Sequence, residues 1–76
     1  MIEADLELDL KGMNCPLPLL KTKQTMSQMS SGQVIRVQTT DPGSVRDFAS
    51  YARIVGHTLV SSETVGGVFI HVLRHK

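Results

Sequence analysis

The sequence is poor in cysteine and in aromatic residues. Its 76 residues include one cysteine, Cys15, two phenylalanines, one tyrosine and no tryptophan. A single cysteine excludes both a disulfide-stapled fold and a thiol-only zinc site within one chain. With so few aromatic side chains, the sequence also offers no stacking platform for nucleic acid. If Cys15 does chemistry, it therefore does so alone or with the cysteine of a partner.

The charge of the chain is small and unevenly distributed. The formal net charge of +1 is too low to attract nucleic acid or an anionic membrane through bulk electrostatics. Acids and bases are nevertheless segregated: an acidic segment, with Glu3, Asp5, Glu7 and Asp9, precedes a basic one, with Lys11, Lys21 and Lys23. Such segments are usually solvated faces, and docking surfaces are the alternative.

The sequence contains no long apolar run and no targeting segment. No stretch approaches the length of a membrane span, and the N-terminus lacks the basic flank and apolar core of a signal peptide. We therefore expect a cytoplasmic protein that does not bind membranes. The length permits one small domain, residues 1–76, which buries only about 60% of the surface of its unfolded chain.

Hydrophobic periodicity predicts four strands and two helices. Apolar and acidic residues alternate over residues 2–10, as in a strand with one wet face. Further strands are predicted over residues 34–39, 57–64 and 68–74, and helices over residues 16–30 and from Ser44 to Gly56. Ser44 is interpreted as the N-cap of the second helix. The glycine pair at 66 and 67 predicts a tight hairpin between the last two strands.

This order predicts an α+β two-layer sandwich, β-α-β-α-β-β. Crossover through the helices makes the early strands parallel and the final hairpin makes the last pair antiparallel, so the four-stranded sheet is mixed. Because the first strand has an acidic face, both helices are expected on the opposite face. On the open face, Arg36 is expected to lie across from Glu7 or Asp9.

The segment between the first strand and the first helix is the most informative part of the sequence. Proline is favoured at the first helical position, so Pro16 there would make Cys15 the N-cap, at the positive end of the helix dipole. We expect this position to lower the thiol pKa. Because Pro16 and Pro18 lack an N–H group, Leu17 is the best remaining backbone donor to the sulfur. A buried, inert cysteine is the alternative interpretation.

The three histidines are not predicted to form a site. His71 and His75 have the spacing i, i+4, but on a strand this places them about 13 Å apart, too far to share a metal ion. We interpret both as surface or edge residues and predict no metal site. His57 is interpreted as part of the C-terminal end of the second helix.

Several short motifs resemble one known family. They are Cys15-Pro16-Leu17-Pro18 after a strand and Gly12, Asp41-Pro42-Gly43-Ser44 after a second strand, Arg46-Asp47, and Gly56-His57. With these motifs, the chain from Leu8 to Arg74 resembles the TusA family, also called SirA-like or YedF/YeeD-like proteins. The resemblance implies a domain similar to the C-terminal domain of bacterial translation initiation factor three.

The resemblance also implies a sulfur relay. Cys15 would accept sulfane sulfur from a rhodanese, a cysteine desulfurase or a DsrE-type protein, hold it as a persulfide, and pass it to an acceptor such as a heterodisulfide-reductase-like complex. We expect no cofactor, and a monomeric sulfurtransferase-type carrier rather than a stand-alone enzyme. The residues expected to position the thiol are Pro16, Leu17, Pro18, Gly12 and Asn14, and those that would steer partners electrostatically are Lys11, Lys21 and Lys23.

Two departures from the tRNA-thiolation member of that family bear on the pathway. That protein has an acidic residue between the prolines, where this chain has Leu17, and a second cysteine where this chain has Ala52. An apolar residue such as Leu17 at this position resembles the family members associated with sulfur oxidation. We therefore favour a role in sulfur oxidation. Sulfur relay for tRNA 2-thiouridine synthesis is the alternative, and a non-catalytic module that docks on protein or RNA is a second alternative with the same predicted fold.

Overall fold

The computed structural model describes residues 4–76, which form four strands and two helices in the predicted order. The elements are β1 (Leu6–Leu10), α1 (Leu17–Met26), β2 (Val34–Thr39), α2 (Ser44–Val55), β3 (Thr58–Val65) and β4 (Val68–Arg74). The predicted bounds of β2 and β4 are confirmed. Ile2 and Glu3, which the alternation assigns to the first strand, lie outside the described residues.

The sheet is mixed, as predicted. Its strand order is β1-β2-β4-β3, with β1 parallel to β2 and β4 antiparallel to both of its neighbours. The β3–β4 hairpin turns through Gly66 and Gly67, whose φ angles are 56° and 81°. Both angles lie in the left-handed region that glycine adopts without steric cost, which explains the tight turn.

Both helices lie on one face of the sheet, so the predicted two-layer architecture is confirmed. The helices contact each other, α1 contacts β2, and α2 contacts β3 and β4. Between the layers lies one apolar core whose buried members are Leu10, Met26, Met29, Ile35, Val37, Phe48, Ala52 and Leu73. Burial of this cluster is the main favourable term for a domain of this size.

Helix α1 is shorter than predicted. It ends at Met26 rather than Ser30, and the chain continues with tighter i to i−3 bonds from Gln28 N–H to Thr25 O and from Met29 N–H to Met26 O. The Ser27 hydroxyl donates to Gln24 O at 2.7 Å, a local bond that competes with continued helix. Met29 is buried all the same, so the predicted apolar stripe persists beyond the helix.

The face of the sheet opposite the helices carries the predicted ion pair. Arg36 Nη1 donates to Glu7 Oε1 at 3.0 Å, across the parallel β1–β2 pair. The Glu7 side chain is largely exposed, so the pair contributes little to stability, about 0–1 kcal/mol.

Candidate functional site

Two strand-to-helix junctions lie side by side at one edge of the sheet. Because β1 and β2 are parallel neighbours with Leu10 paired to Thr39, their carboxyl ends meet, and both chains turn there into helices. We call residues 11–16 the first junction and residues 40–43 the second junction. The Gly12 N–H donates to Thr40 Oγ1 at 2.9 Å and ties the two together.

The first junction presents Cys15 to solvent. The chain leaves β1 through a turn at Gly12, whose φ of 86° is in the left-handed region, and the Met13 N–H donates to Leu10 O. Cys15 follows Asn14 as an exposed free thiol. The alternative of a buried, inert cysteine therefore does not hold for this structure.

Cys15 is not the N-cap of α1, so that prediction is wrong. The N-cap is Pro16, joined to Cys15 by a cis peptide bond, and Leu17 is the first helical residue. The Leu17 N–H donates to Asn14 O at 2.9 Å, so the donor that we assigned to the sulfur is already used by the backbone. Pro18 is buried within the first turn and has no N–H to offer. Pro16 and Pro18 thus shape this turn, but no backbone donor assigned to the thiol remains in it.

The thiol contacts an acid on the neighbouring helix instead. Cys15 Sγ donates a hydrogen bond to Asp47 Oδ2 at 3.4 Å. This hydrogen bond, followed by desolvation and by the negative charges of Asp47 and Asp41, raises the pKa of the Cys15 thiol above its ordinary value. The prediction of a lowered thiol pKa is therefore wrong, because Cys15 is not the N-cap of α1 and the nearby carboxylates favour the protonated thiol.

Two of the three lysines contact groups other than the thiol. Lys11 Nζ is 3.0 Å from Asp9 Oδ1 and also donates to Gln38 Oε1. Lys23 Nζ lies 5.6 Å from the centre of the Tyr51 ring, and Lys21 is exposed on α1. Among the charges that affect the thiol pKa within residues 4–76, none comes from a lysine. Steering of a partner by these lysines stays a prediction.

The second junction is held by buried hydrogen bonds that sequence reasoning did not anticipate. Ser44 is the first residue of α2 rather than its N-cap, which is Gly43. Its buried hydroxyl accepts from Thr39 Oγ1 at 2.9 Å and lies 2.9 Å from His71 Nε2. His71 Nδ1 lies 2.6 Å from Ser62 Oγ.

His71 is fully buried, so its interpretation as a surface or edge residue is wrong. Its ring packs against Phe48 at 4.7 Å between centroids, and burial lowers the pKa of the imidazole. Sequence spacing contained a signal for this placement, because His71 shares a strand face with the core residue Leu73. His57 is also buried at the end of α2 and packs between Tyr51 and His75.

A shallow groove adjoins the thiol site. It has a volume of about 210 Å³ and lies between α1, which contributes Leu19 and Lys23, and α2, which contributes Asp47, Tyr51 and Ile54. The carboxylate that contacts Cys15 thus also lines the groove.

Neither a metal centre nor a membrane segment is found in the part of the chain that the structure describes. Residues 4–76 contain no group of three or more His, Cys, Asp or Glu side chains arranged to hold a metal ion. Within the same residues, neither helix is long and apolar enough to cross a membrane.

Comparison with known proteins decides the family. The family model described as Sulfurtransferase TusA matches residues 6–75. The chain belongs to the TusA family. It is 49% identical over 74 residues to the sulfur carrier protein TusA of Allochromatium vinosum, with 97% of each chain covered. It is 42% identical over 69 residues to a putative sulfur carrier protein of Neisseria meningitidis serogroup A, covering 91% of this chain and 93% of that one.

A solved structure agrees with the fold of this TusA family member. The SirA-like protein of Desulfitobacterium hafniense superposes with a TM-score of 0.81 over 91% of this chain and 95% of that one, at 21% identity. The family model and the relative from Allochromatium vinosum confirm the family resemblance drawn from the Cys-Pro-x-Pro and Asp-Pro-Gly-Ser motifs.

Proposed function

We propose that the protein carries sulfane sulfur as a persulfide on Cys15. The observation that carries the proposal is the placement of the chain's single cysteine, exposed at the first junction of a TusA family member. A relay needs a thiol that partners can reach and that cannot close an internal disulfide. Cys15 meets both requirements.

The chemistry is sulfur exchange between two thiols. The Cys15 thiolate attacks the outer sulfur of a donor persulfide, R–S–SH, and the bond between the two donor sulfurs breaks. The donor leaves as R–S⁻ and takes up a proton, while the sulfane sulfur is now held as Cys15–S–SH. Attack by an acceptor thiolate on the outer sulfur of Cys15–S–SH reverses the step. No net oxidation or reduction occurs.

Intact-mass spectrometry tests the proposal. Reduced protein is incubated with glutathione persulfide, desalted and weighed, with Cys15→Ser as the matched control. We expect wild type to gain the mass of one sulfur atom, to lose it on treatment with dithiothreitol, and the serine variant to gain none. Wild type that gains no sulfur, or a serine variant that gains as much, would refute the assignment of Cys15.

The sulfur donor and acceptor are proposed as proteins of sulfur oxidation. Leu17 supports this choice, because it is 48% exposed one residue beyond Pro16 and adds an apolar side chain where the tRNA-thiolation member has an acid. A partner with an apolar group facing Leu17 fits this position better than one that recognises an acid there. The proposed partners are rhodanese, DsrE-type or heterodisulfide-reductase-like proteins.

Transfer of labelled sulfur tests this pathway. Protein loaded with labelled sulfane sulfur is offered purified DsrE-type or heterodisulfide-reductase-like acceptors and, separately, a tRNA-thiolation relay protein. Faster transfer to the first group is expected, and Leu17→Glu should reduce that preference. Preferential transfer to the tRNA-thiolation relay would contradict the pathway while leaving Cys15 as the carrier.

A further inference from the structure

The electrostatic surroundings of Cys15 are acidic, although lysines flank it in sequence. Asp47 from α2 contacts the sulfur, and Asp41 from the second junction adds a further negative charge. On the thiol's own side, the Lys11 ammonium is held by Asp9 and Gln38. The free carrier therefore surrounds its sulfur with groups that oppose ionisation.

Asp47 is poorly suited to act as a base toward the thiol. A carboxylate is a weaker base than a thiolate, so the hydrogen bond from Cys15 Sγ to Asp47 Oδ2 keeps the proton on sulfur. The contact therefore holds Sγ as a hydrogen-bond donor. Its effect is to keep the nucleophile protonated.

We propose that Asp47 gates Cys15, that is, controls when its sulfur can react. In the free carrier the Asp47 carboxylate keeps the thiol protonated. A partner with a cationic side chain beside its own reactive cysteine frees the sulfur for exchange. The inference rests on the proposed function, since it concerns regulation of the same sulfur. Pairing of a partner's lysine or arginine with Asp47 removes both the hydrogen-bond acceptor and the negative charge that disfavour the thiolate.

The geometry gives such a cation a route to Asp47. The carboxylate is half-buried and lines the groove between α1 and α2, next to the exposed thiol. A partner side chain can therefore reach Asp47 from the groove while the partner's cysteine approaches Cys15 from solvent. The gate favours cationic partners over anionic thiols and disulfides of the surrounding solution.

Alkylation by iodoacetamide tests the gate in the unloaded protein. The reagent is uncharged, so its rate reports the thiolate fraction rather than electrostatic attraction. We expect Asp47→Asn to react about three- to tenfold faster than wild type near pH 7 and to shift the pH profile of alkylation toward lower pH. Glu63→Gln is the matched control, because it removes the same charge from an exposed side chain on β3, the edge strand opposite β1, and should leave the profile unchanged.

Charged disulfides test the selectivity. In each reaction the Cys15 thiolate attacks one sulfur of RS–SR, giving Cys15–S–SR and releasing RS⁻. The probes are cystamine, which is cationic, and 5,5′-dithiobis(2-nitrobenzoate), which is anionic. We expect the ratio of the cystamine rate to the anionic rate to fall several-fold in Asp47→Asn, and to fall in wild type when salt shortens the Debye length from about 30 Å to about 3 Å.

The outcomes separate the gate from the proposed function. Identical pH profiles and rate ratios for wild type, Asp47→Asn and Glu63→Gln would overturn the gate, whether or not wild type gains sulfur from glutathione persulfide. Failure of wild type to gain sulfur would instead refute the carrier. If far-UV circular dichroism shows that Asp47→Asn is unfolded, two measurements replace it as tests of the gate: the rates of Asp47→Glu and the salt dependence of the wild-type rate ratio. A wild-type rate ratio that does not respond to salt would then overturn the gate.

Discussion

The two junctions connect parallel strands to helices at the same edge of the sheet, yet they differ in burial and in the hydrogen bonds that hold them. The first junction leaves its reactive atom exposed and uses backbone hydrogen bonds to set the turn. The second is anchored in the interior, where Thr39, Ser44 and His71 are linked by hydrogen bonds and are fully or almost fully buried.

The difference shows how the protein positions an exposed thiol next to a defined charge. The anchored junction fixes the start of α2, and thereby the Asp47 carboxylate, while the first junction presents Cys15 to it. Breaking the anchor should therefore cost the most stability, whereas a substitution in the first junction should cost only the strain of its local turn. The following substitutions test that contrast.

The largest effect is expected from His71→Ala. The substitution leaves a cavity beside Phe48 and deprives the Ser44 and Ser62 hydroxyls of their imidazole partner, so the free energy of unfolding should fall by about 2–4 kcal/mol. Urea denaturation measures it. His75→Ala, on a partly exposed ring, is the control and should cost less than about 1 kcal/mol. Equal losses in the two variants would show that the buried cluster is not an anchor.

The second-largest effect is expected from acidification, which should weaken the buried anchor around His71. Burial lowers the pKa of His71 below the ordinary value of about 6.5. Between the two pKa values the unfolded chain binds a proton that the folded chain does not, so stability falls as the pH drops below about 6.5, by up to about 1.4 kcal/mol per pH unit.

Urea midpoints measured from about pH 7.5 to about pH 5 check this slope. His71→Gln keeps hydrogen-bonding capacity and removes the titration, so its slope should be shallower. The remaining slope is expected from His57, whose pKa is also lowered by burial. A slope unchanged by His71→Gln would contradict the assignment.

A smaller contrast is expected between the glycines of the two junctions. Gly12 has a φ of 86°, so Gly12→Ala forces a side chain into the left-handed region and should cost about 1–2 kcal/mol. Gly43 has a φ of −66°, and a Cβ there would meet Asp41 at an ordinary 3.5 Å. Gly43→Ala should therefore change stability by less than about 1 kcal/mol, in either direction. Thermal unfolding distinguishes the two, and a larger loss for Gly43→Ala would reverse the interpretation.

Much of the fold is predictable because it follows from local patterns. Alternation of apolar and polar residues predicts β2 and β4, and the glycine pair predicts the hairpin. The acidic face of the first strand indicates on which side of the sheet the helices lie. The end of α1 was missed because the apolar stripe continues through Met29 after the helical hydrogen bonds have stopped.

The candidate site is predictable only in part. The exposure and location of Cys15 follow from its place between a strand, Gly12 and two prolines. The Asp47 contact does not, because it joins residues 32 positions apart and depends on how α2 is set against the first junction. The predicted sign of the pKa shift of Cys15 is wrong for this reason: local sequence suggests a helix N-terminus at the sulfur but does not show the carboxylate of a neighbouring helix.

The most direct test of the contrast between the junctions is a titration of the Cys15 thiol in unloaded protein. NMR follows it through the chemical shift of the Cβ atom, which is unambiguous because the chain has one cysteine. We expect a wild-type midpoint above the ordinary value of about 8.5, a lower midpoint in Asp47→Asn, and no change in Glu63→Gln. A wild-type midpoint at or below the ordinary value, unmoved by Asp47→Asn, would contradict the account.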